Sequence, residues 1–199
     1  MLRTARFLRA IAAALVLLAP PALAQDEPPN ALLLVAKPGL PDPRFSRTVV
    51  LVTQTTDSQT VGVILNRPTR VRLQDLRPDL PGGDLPVNFG GPVMGRTLIA
   101  LFESDAPPAA AAFHVLKNVY LSMHPSVIEP LLAQHGAKLR LFAGFSGWAA
   151  RQLESELVGD SWFLVPATEE IVFRTDTAGM WEELSEQAAR KKAALYSKP

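Results

Sequence analysis

Three runs rich in valine, isoleucine and leucine stand close together near the start of this 199-residue chain: ALLLVA at 31–36, RTVVLVTQT at 47–55 and TVGVILN at 60–66. Short β-branched runs bounded by turn residues predict strands. The link between the second and third, TTDSQT, is short and polar, and it predicts a hairpin with Asp57 and Ser58 near its tip. Five more runs read the same way: TLIALF (97–102), NVYLS (118–122), KLRLFAG (138–144), SWFLV (161–165) and EIVF (170–173). A chain with this many strand-length runs has to build a sheet and fit its helices around it.

Helical periodicity is confined to three places. PSVIEPLLAQHG (125–136) sets Val127, Ile128, Leu131 and Leu132 on one side and stops at Gly136. Pro130 inside it is expected to kink or divide the helix. WAARQLESELV (148–158) places Ala149, Leu153 and Leu157 at i, i+4 and i+8. AGMWEELSEQAARKKAALY (178–196) puts Trp181, Leu184, Ala188 and Leu195 on one face. Its acids, Glu182, Glu183 and Glu186, precede its bases, Arg190, Lys191 and Lys192, an order that complements the helix dipole. DAPPAAAA (105–112) reads as a surface loop. The elements do not alternate as β-α-β, so the predicted fold is a single compact α+β domain whose mostly antiparallel sheet is flanked by about three helices.

The first 24 residues read as a secretory signal peptide. Arg3, Arg6 and Arg9 precede the apolar run AIAAALVLLA, and PPALA ends in a small-x-small cleavage site before Gln25. The run is shorter than the roughly 20 residues that span a bilayer, so no stable membrane span is expected after cleavage. A periplasmic protein comprising residues 25–199 follows, opening with the polar leader QDEPPN. The whole chain carries 20 bases and 19 acids; losing three arginines leaves 17 against 19, a net charge of −2. That surface lacks the basic footprint of a nucleic-acid binder. The chain has no cysteine, so packing rather than disulfides must hold it in an oxidising compartment. At 175 residues the core can bury about 70% of the unfolded surface.

Several short motifs invite a catalytic reading. GFSGW (144–148) approaches the G-x-S-x-G nucleophile elbow, but its fifth residue is Trp148 rather than a small one. All three histidines (His114, His124, His135) precede Ser146, the reverse of the α/β-hydrolase order. The motif therefore reads as a strand-to-helix corner in which Ser146 turns or caps the chain and Trp148 is buried. GGPVMGRT (90–97) resembles a phosphate loop with Arg96 in place of lysine, yet a strand-like run follows where a helix is required. Its glycines and Pro92 instead fix a backbone path between two strands. The histidines are ten and eleven residues apart, without metal-ligand spacing, so no metal and no cofactor is expected. Asp42, Glu154 and Glu156 stand in turn or helix-surface contexts.

Four stretches, PGLPDPRFSRTVVLV (38–52), GVILNRP (62–68), FGGPV (89–93) and FAGFSGWAARQLESEL (142–157), together resemble the YqgE/AlgH family in order and spacing. The resemblance runs from about Leu32 to the final helix. It implies a branched or barrel-like sheet flanked by helices and carries over no catalytic residue. Family members usually read G-W-G-P-G-Q-L-E, where this chain has Ala149-Ala150-Arg151 before Gln152. Alanine favours helix over glycine by about 1 kcal/mol, so the helix is expected to start early here. Most members are cytoplasmic and some are called transcriptional regulators, whereas this chain opens with an export signal.

These readings point to an exported, non-enzymatic binding or regulatory domain whose partner is a protein or small ligand. Its candidate binding residues are the polar turn residues Asp42, Arg47, Asn66, Arg67, Gln152 and Glu154. Each also has a structural role open to it, Asp42 as a turn former before Pro43 and Arg47 as partner to a nearby acid. The competing readings are a serine hydrolase acting through Ser146 and a cytoplasmic transcription-related regulator.

Overall fold

The computed structural model describes residues 31–196 except Thr56 and His135. The expected signal peptide, its cleavage site and the polar leader lie outside the described residues. One sheet organises the molecule. Strands β1 (Leu32–Ala36), β2 (Val49–Gln54) and β3 (Thr60–Ile64) are the three opening runs, paired antiparallel in sequence order. The hairpin closes where Thr55 N–H donates to Gln59 O, with Ser58 at positive φ at its tip. β1 and β2 are buried on both faces, so they read as continuous apolar runs rather than alternating ones.

The remaining strands are β4 (Val87–Phe89), β5 (Val93–Glu103), β6 (Phe113–Leu116), β7 (Val119–Ser122), β8 (Leu139–Trp148) and β9 (Trp162–Pro166). Their order is β6-β7-β5-β8-β3-β2-β1-β9, with β4 attached to β8 as well. The sheet thus branches at β8. Its first half lies between β5 and the parallel strand β4, and its second half pairs with β3 through Thr60–Trp148 and Gly62–Ser146. At the branch, Gly144 has φ 71°, and a Cβ there would stand 2.6 Å from Gly91 O. Gly91 faces it, where a Cβ would meet Phe145 C at 2.3 Å. Only glycine permits two backbones to approach so closely. The strand-to-strand path expected for Gly90-Gly91-Pro92 is the one observed, between β4 and β5.

Helices α1 (Leu73–Leu76), α2 (Pro125–Leu132), α3 (Gln152–Val158), α4 (Glu169–Val172) and α5 (Met180–Tyr196) surround the sheet. Leu73 of α1 and Val127, Ile128 and Leu132 of α2 cover Leu98, Ala100, Phe102 and Leu141. Val172, Met180 and Leu184 cover the face formed by Leu33, Val35, Leu51 and Phe142. On the other side of β1 and β2, Leu153 and Leu157 of α3 pack towards Leu34, Val50, Trp148 and Trp162. Arg140 of β8 is buried and joins α4 to the sheet, donating to Val172 O at 2.9 Å and Leu65 O at 2.7 Å. Burial without a carboxylate partner lowers its pKa to about 10.

Four expectations are corrected. EIVF is not a strand: α4 occupies it, because Thr168 accepts the Ile171 N–H as N-cap and Glu169 and Glu170 fill the first turn. GFSGW is not a corner but the second half of β8, and Ser146 is a buried strand residue. The corner falls at 149–151, and α3 starts at Gln152 rather than earlier, because Arg151 takes the left-handed conformation at φ 68°. At the far end of α5, Leu195 is 70% exposed although it shares a face with Leu184. The loop at 105–112 is as expected, and α2 ends two residues after Pro130.

Candidate functional site

The corner after β8 and the turns after β1 meet over the face of Trp148 and Trp162. Residues 37–48 are folded by successive turns: Leu40 N–H donates to Lys37 O, Phe45 N–H to Asp42 O and Thr48 N–H to Phe45 O. Asp42 is the turn former expected beside Pro43. Its Oδ1 accepts the Arg44 N–H at 2.9 Å, and its Oδ2 accepts Arg44 Nη2 at 2.7 Å. The Arg44 guanidinium hydrogen-bonded to Asp42 holds that carboxyl below the usual carboxylate range. The turns carry Phe45 inward, where its ring lies 5.6 Å from Trp148 and 5.8 Å, edge-on, from Trp162. The two indoles meet edge to face at 6.2 Å.

Glu156 binds this aromatic group to α3. Its Oε2 accepts the Trp162 indole N–H at 2.9 Å and that of Trp148 at 3.1 Å. Its Oε1 accepts Gln152 Nε2 at 3.2 Å, and Gln152 Oε1 in turn accepts the Ala149 N–H. The left-handed Arg151 makes this possible, because it redirects the chain so that α3 returns across the end of β8. Above these groups a cleft of about 440 Å³ opens, lined by Asp42, Arg44, Phe45, Trp148, Gln152 and Glu156 among others. That size suits a small ligand.

Of the six candidates, Asp42 and Gln152 line this cleft. Arg47, Asn66 and Arg67 lie together elsewhere and stitch strand ends. Asn66 accepts the Val49 N–H and donates to Arg47 O, and Arg67 donates to Ser46 O at 2.7 Å. Arg47 pairs with Glu182 and stacks 4.4 Å from the centre of the Trp181 ring. Glu154 is exposed on α3 and does not line the cleft. Sequence reasoning missed Arg44 and set Glu156 aside as a solvated helix residue. The usable signal was the i, i+4 pair Gln152–Glu156 directly after a tryptophan.

Ser146 makes no hydrogen bond to a described histidine. Its hydroxyl is buried and donates to Gly90 O at 3.2 Å, while His124 Nδ1 is engaged by Ser126 and His114 Nε2 by Lys117 O. Among the described residues no three His, Asp or Glu side chains stand together as metal ligands. None of the described helices is long and apolar enough to cross a membrane.

A branched, mostly antiparallel sheet with helices on its faces and an aromatic cleft beside its final strands defines a class of small α+β proteins. The chain belongs to the AlgH-like family, which it matches over residues 33–193. It is 33% identical over 157 residues to a UPF0301 protein of Methylococcus capsulatus, covering 75% of this chain and 83% of that one. A UPF0301 protein of Thioalkalivibrio sulfidiphilus is 30% identical over 156 residues, covering 75% and 83%. The solution structure of AlgH from Pseudomonas aeruginosa superposes with a TM-score of 0.65 at 28% identity, over 84% of this chain and 93% of that one. A crystal structure from Corynebacterium diphtheriae shares the fold with a TM-score of 0.61 at 24% identity, over 83% and 90%.

Proposed function

We propose that this protein is exported and acts as a non-enzymatic binding domain, taking a small ligand or part of a protein partner in the cleft over Trp148 and Trp162. The observation that carries this reading is the fixed Glu156 carboxylate. Three donors orient it beneath an open, ligand-sized volume. Export is supported by the basic, apolar and small-residue layout of residues 1–24. A binding role without chemistry is supported by Ser146, whose proton is committed to a backbone carbonyl inside the sheet. Duplex DNA is not among the partners proposed, since residues 25–199, with 17 bases against 19 acids, carry a net charge of −2 and no basic surplus for counterion release.

The indole N–H resonances give a direct test. Trp148 and Trp162 line the cleft, whereas Trp181 does not and donates to Ala36 O, which makes it an internal control. A screen of small polar fragments should yield members that shift the first two resonances and leave the third in place. A screen in which nothing moves the cleft pair would overturn the reading. Mass spectrometry of the protein from the periplasmic fraction should give a chain beginning at Gln25. A fluorophosphonate probe should leave Ser146 unlabelled.

A further inference from the structure

The charges in the cleft are unequal, and the inequality identifies the kind of ligand that complements it. Asp42 and Arg44 neutralise each other through a bidentate pair. Glu156 is different. All three donors that hold it, two indole N–H groups and one amide, are uncharged. Among the described residues no lysine or arginine pairs with it. Neutral donors fix a carboxylate without cancelling its charge, and a carboxylate has about four acceptor positions. Three are taken, two on Oε2 and one on Oε1, which leaves Oε1 room for one more donor. Phe45 lines the same cleft, its ring 5.6 Å from that of Trp148 and 5.8 Å from that of Trp162.

Resting on the reading that this cleft binds a ligand, we infer that the ligand presents an organic cation, an ammonium or guanidinium head, to Glu156 Oε1. A free amine and the amino terminus of a peptide share this chemistry. The Asp42–Arg44 pair acts as an adjustable neighbour: while paired it contributes no net charge, and without Arg44 it adds a second carboxylate to the same wall.

The arrangement gives substitutions of opposite sign. The probes are agmatine, n-butylammonium, a short peptide with a free amino terminus, its acetylated counterpart, butyrate and n-butanol. Binding is read from the Trp148 and Trp162 indole resonances of the protein comprising residues 25–199. Agmatine and n-butylammonium should shift them, and butyrate and butanol should not. Glu156→Gln should weaken the cations about tenfold, the scale of one charge-assisted hydrogen bond. An unmoved Trp181 resonance would show that this variant keeps its fold. Arg44→Ala, a substitution at a largely exposed side chain, should tighten cation binding several-fold by unmasking Asp42. Tighter binding of the free-terminus peptide than of the small amines, lost on acetylation, assigns the cation to a protein partner; the reverse order assigns it to a free amine. Binding of butyrate or butanol but no cation overturns the inference and leaves the binding cleft standing. Weaker cation binding in Arg44→Ala overturns the inference as well. Silence from all six probes overturns it and counts against the cleft.

Discussion

At the residue scale, the three tryptophans show how a polar handle anchors a large apolar body. Each indole N–H has an acceptor, Glu156 for Trp148 and Trp162 and the Ala36 carbonyl for Trp181. Burial of Trp148 was legible from its place in an apolar motif; its partner was not, because Glu156 lies eight residues on and reads alone as solvated. Trp148→Ala should cost about 3–5 kcal/mol in urea denaturation, the range for truncating a buried aromatic residue. A loss under about 1 kcal/mol would mean that the aromatic group does not carry the corner. Ser146→Ala should cost about 1 kcal/mol, since Gly90 O keeps its bond from the Ile64 N–H when the hydroxyl is removed. Arg151 sits in the left-handed region, at the last position of the family's G-P-G. Arg151→Gly should therefore stabilise the protein by about 1 kcal/mol, the strain a side chain incurs there. An unchanged or lower midpoint would show that Arg151 makes compensating contacts.

At the element scale, β9 is an exposed sheet edge, and its last residue protects it. Lys37 N–H donates to Ser161 O, and alternation from that pair turns the backbone groups of Phe163 and Val165 towards β1. Those of Trp162, Leu164 and Pro166 therefore face the free side. Pro166 has no N–H to offer another strand, a common way of blunting an edge. Pro166→Val should leave the fold intact and raise self-association in concentration-dependent light scattering. Unchanged scattering would show that the edge is already covered. The strands formed by long apolar runs were legible because burial on both faces leaves a continuous signature. α4 was misread because four residues are too few to show a period, so Thr168 as N-cap decided the outcome. β4, β6 and α1 left no signal, since each is three or four residues long and takes its shape from neighbours.

At the scale of the whole molecule, some surface ion pairs fasten turns locally, as Asp42–Arg44 and Asp79–Arg77 do. Others join separate elements, as Asp160 does with Lys37 and Lys192 and Arg174 with Glu183. Asp42, Asp79, Asp160 and Glu183 are each held below the usual carboxylate range, chiefly by hydrogen bonds from Arg44, Arg77, Lys37 and Arg174. A carboxyl lowered on folding contributes fully above its unfolded value, near 4, and loses that contribution as pH falls through its folded value. The melting temperature should therefore hold between about pH 7 and 5 and fall below about pH 4, with a shallower fall in high salt. Because these pairs are largely exposed, each effect is small. A melting temperature that rises on acidification would contradict the assignment. By itself the sequence determined the α+β class, the opening hairpin, α5 and the family, because runs of apolar residues and turn formers are local and written consecutively. The resemblance implied a branched sheet, but tertiary structure alone decided that the branch falls at β8, where Gly144 meets Gly91. It also decided the cleft, which joins Asp42 to Gln152 and Glu156 across more than a hundred residues. Such sites depend on where strands bring distant turns together, and no local pattern encodes that distance.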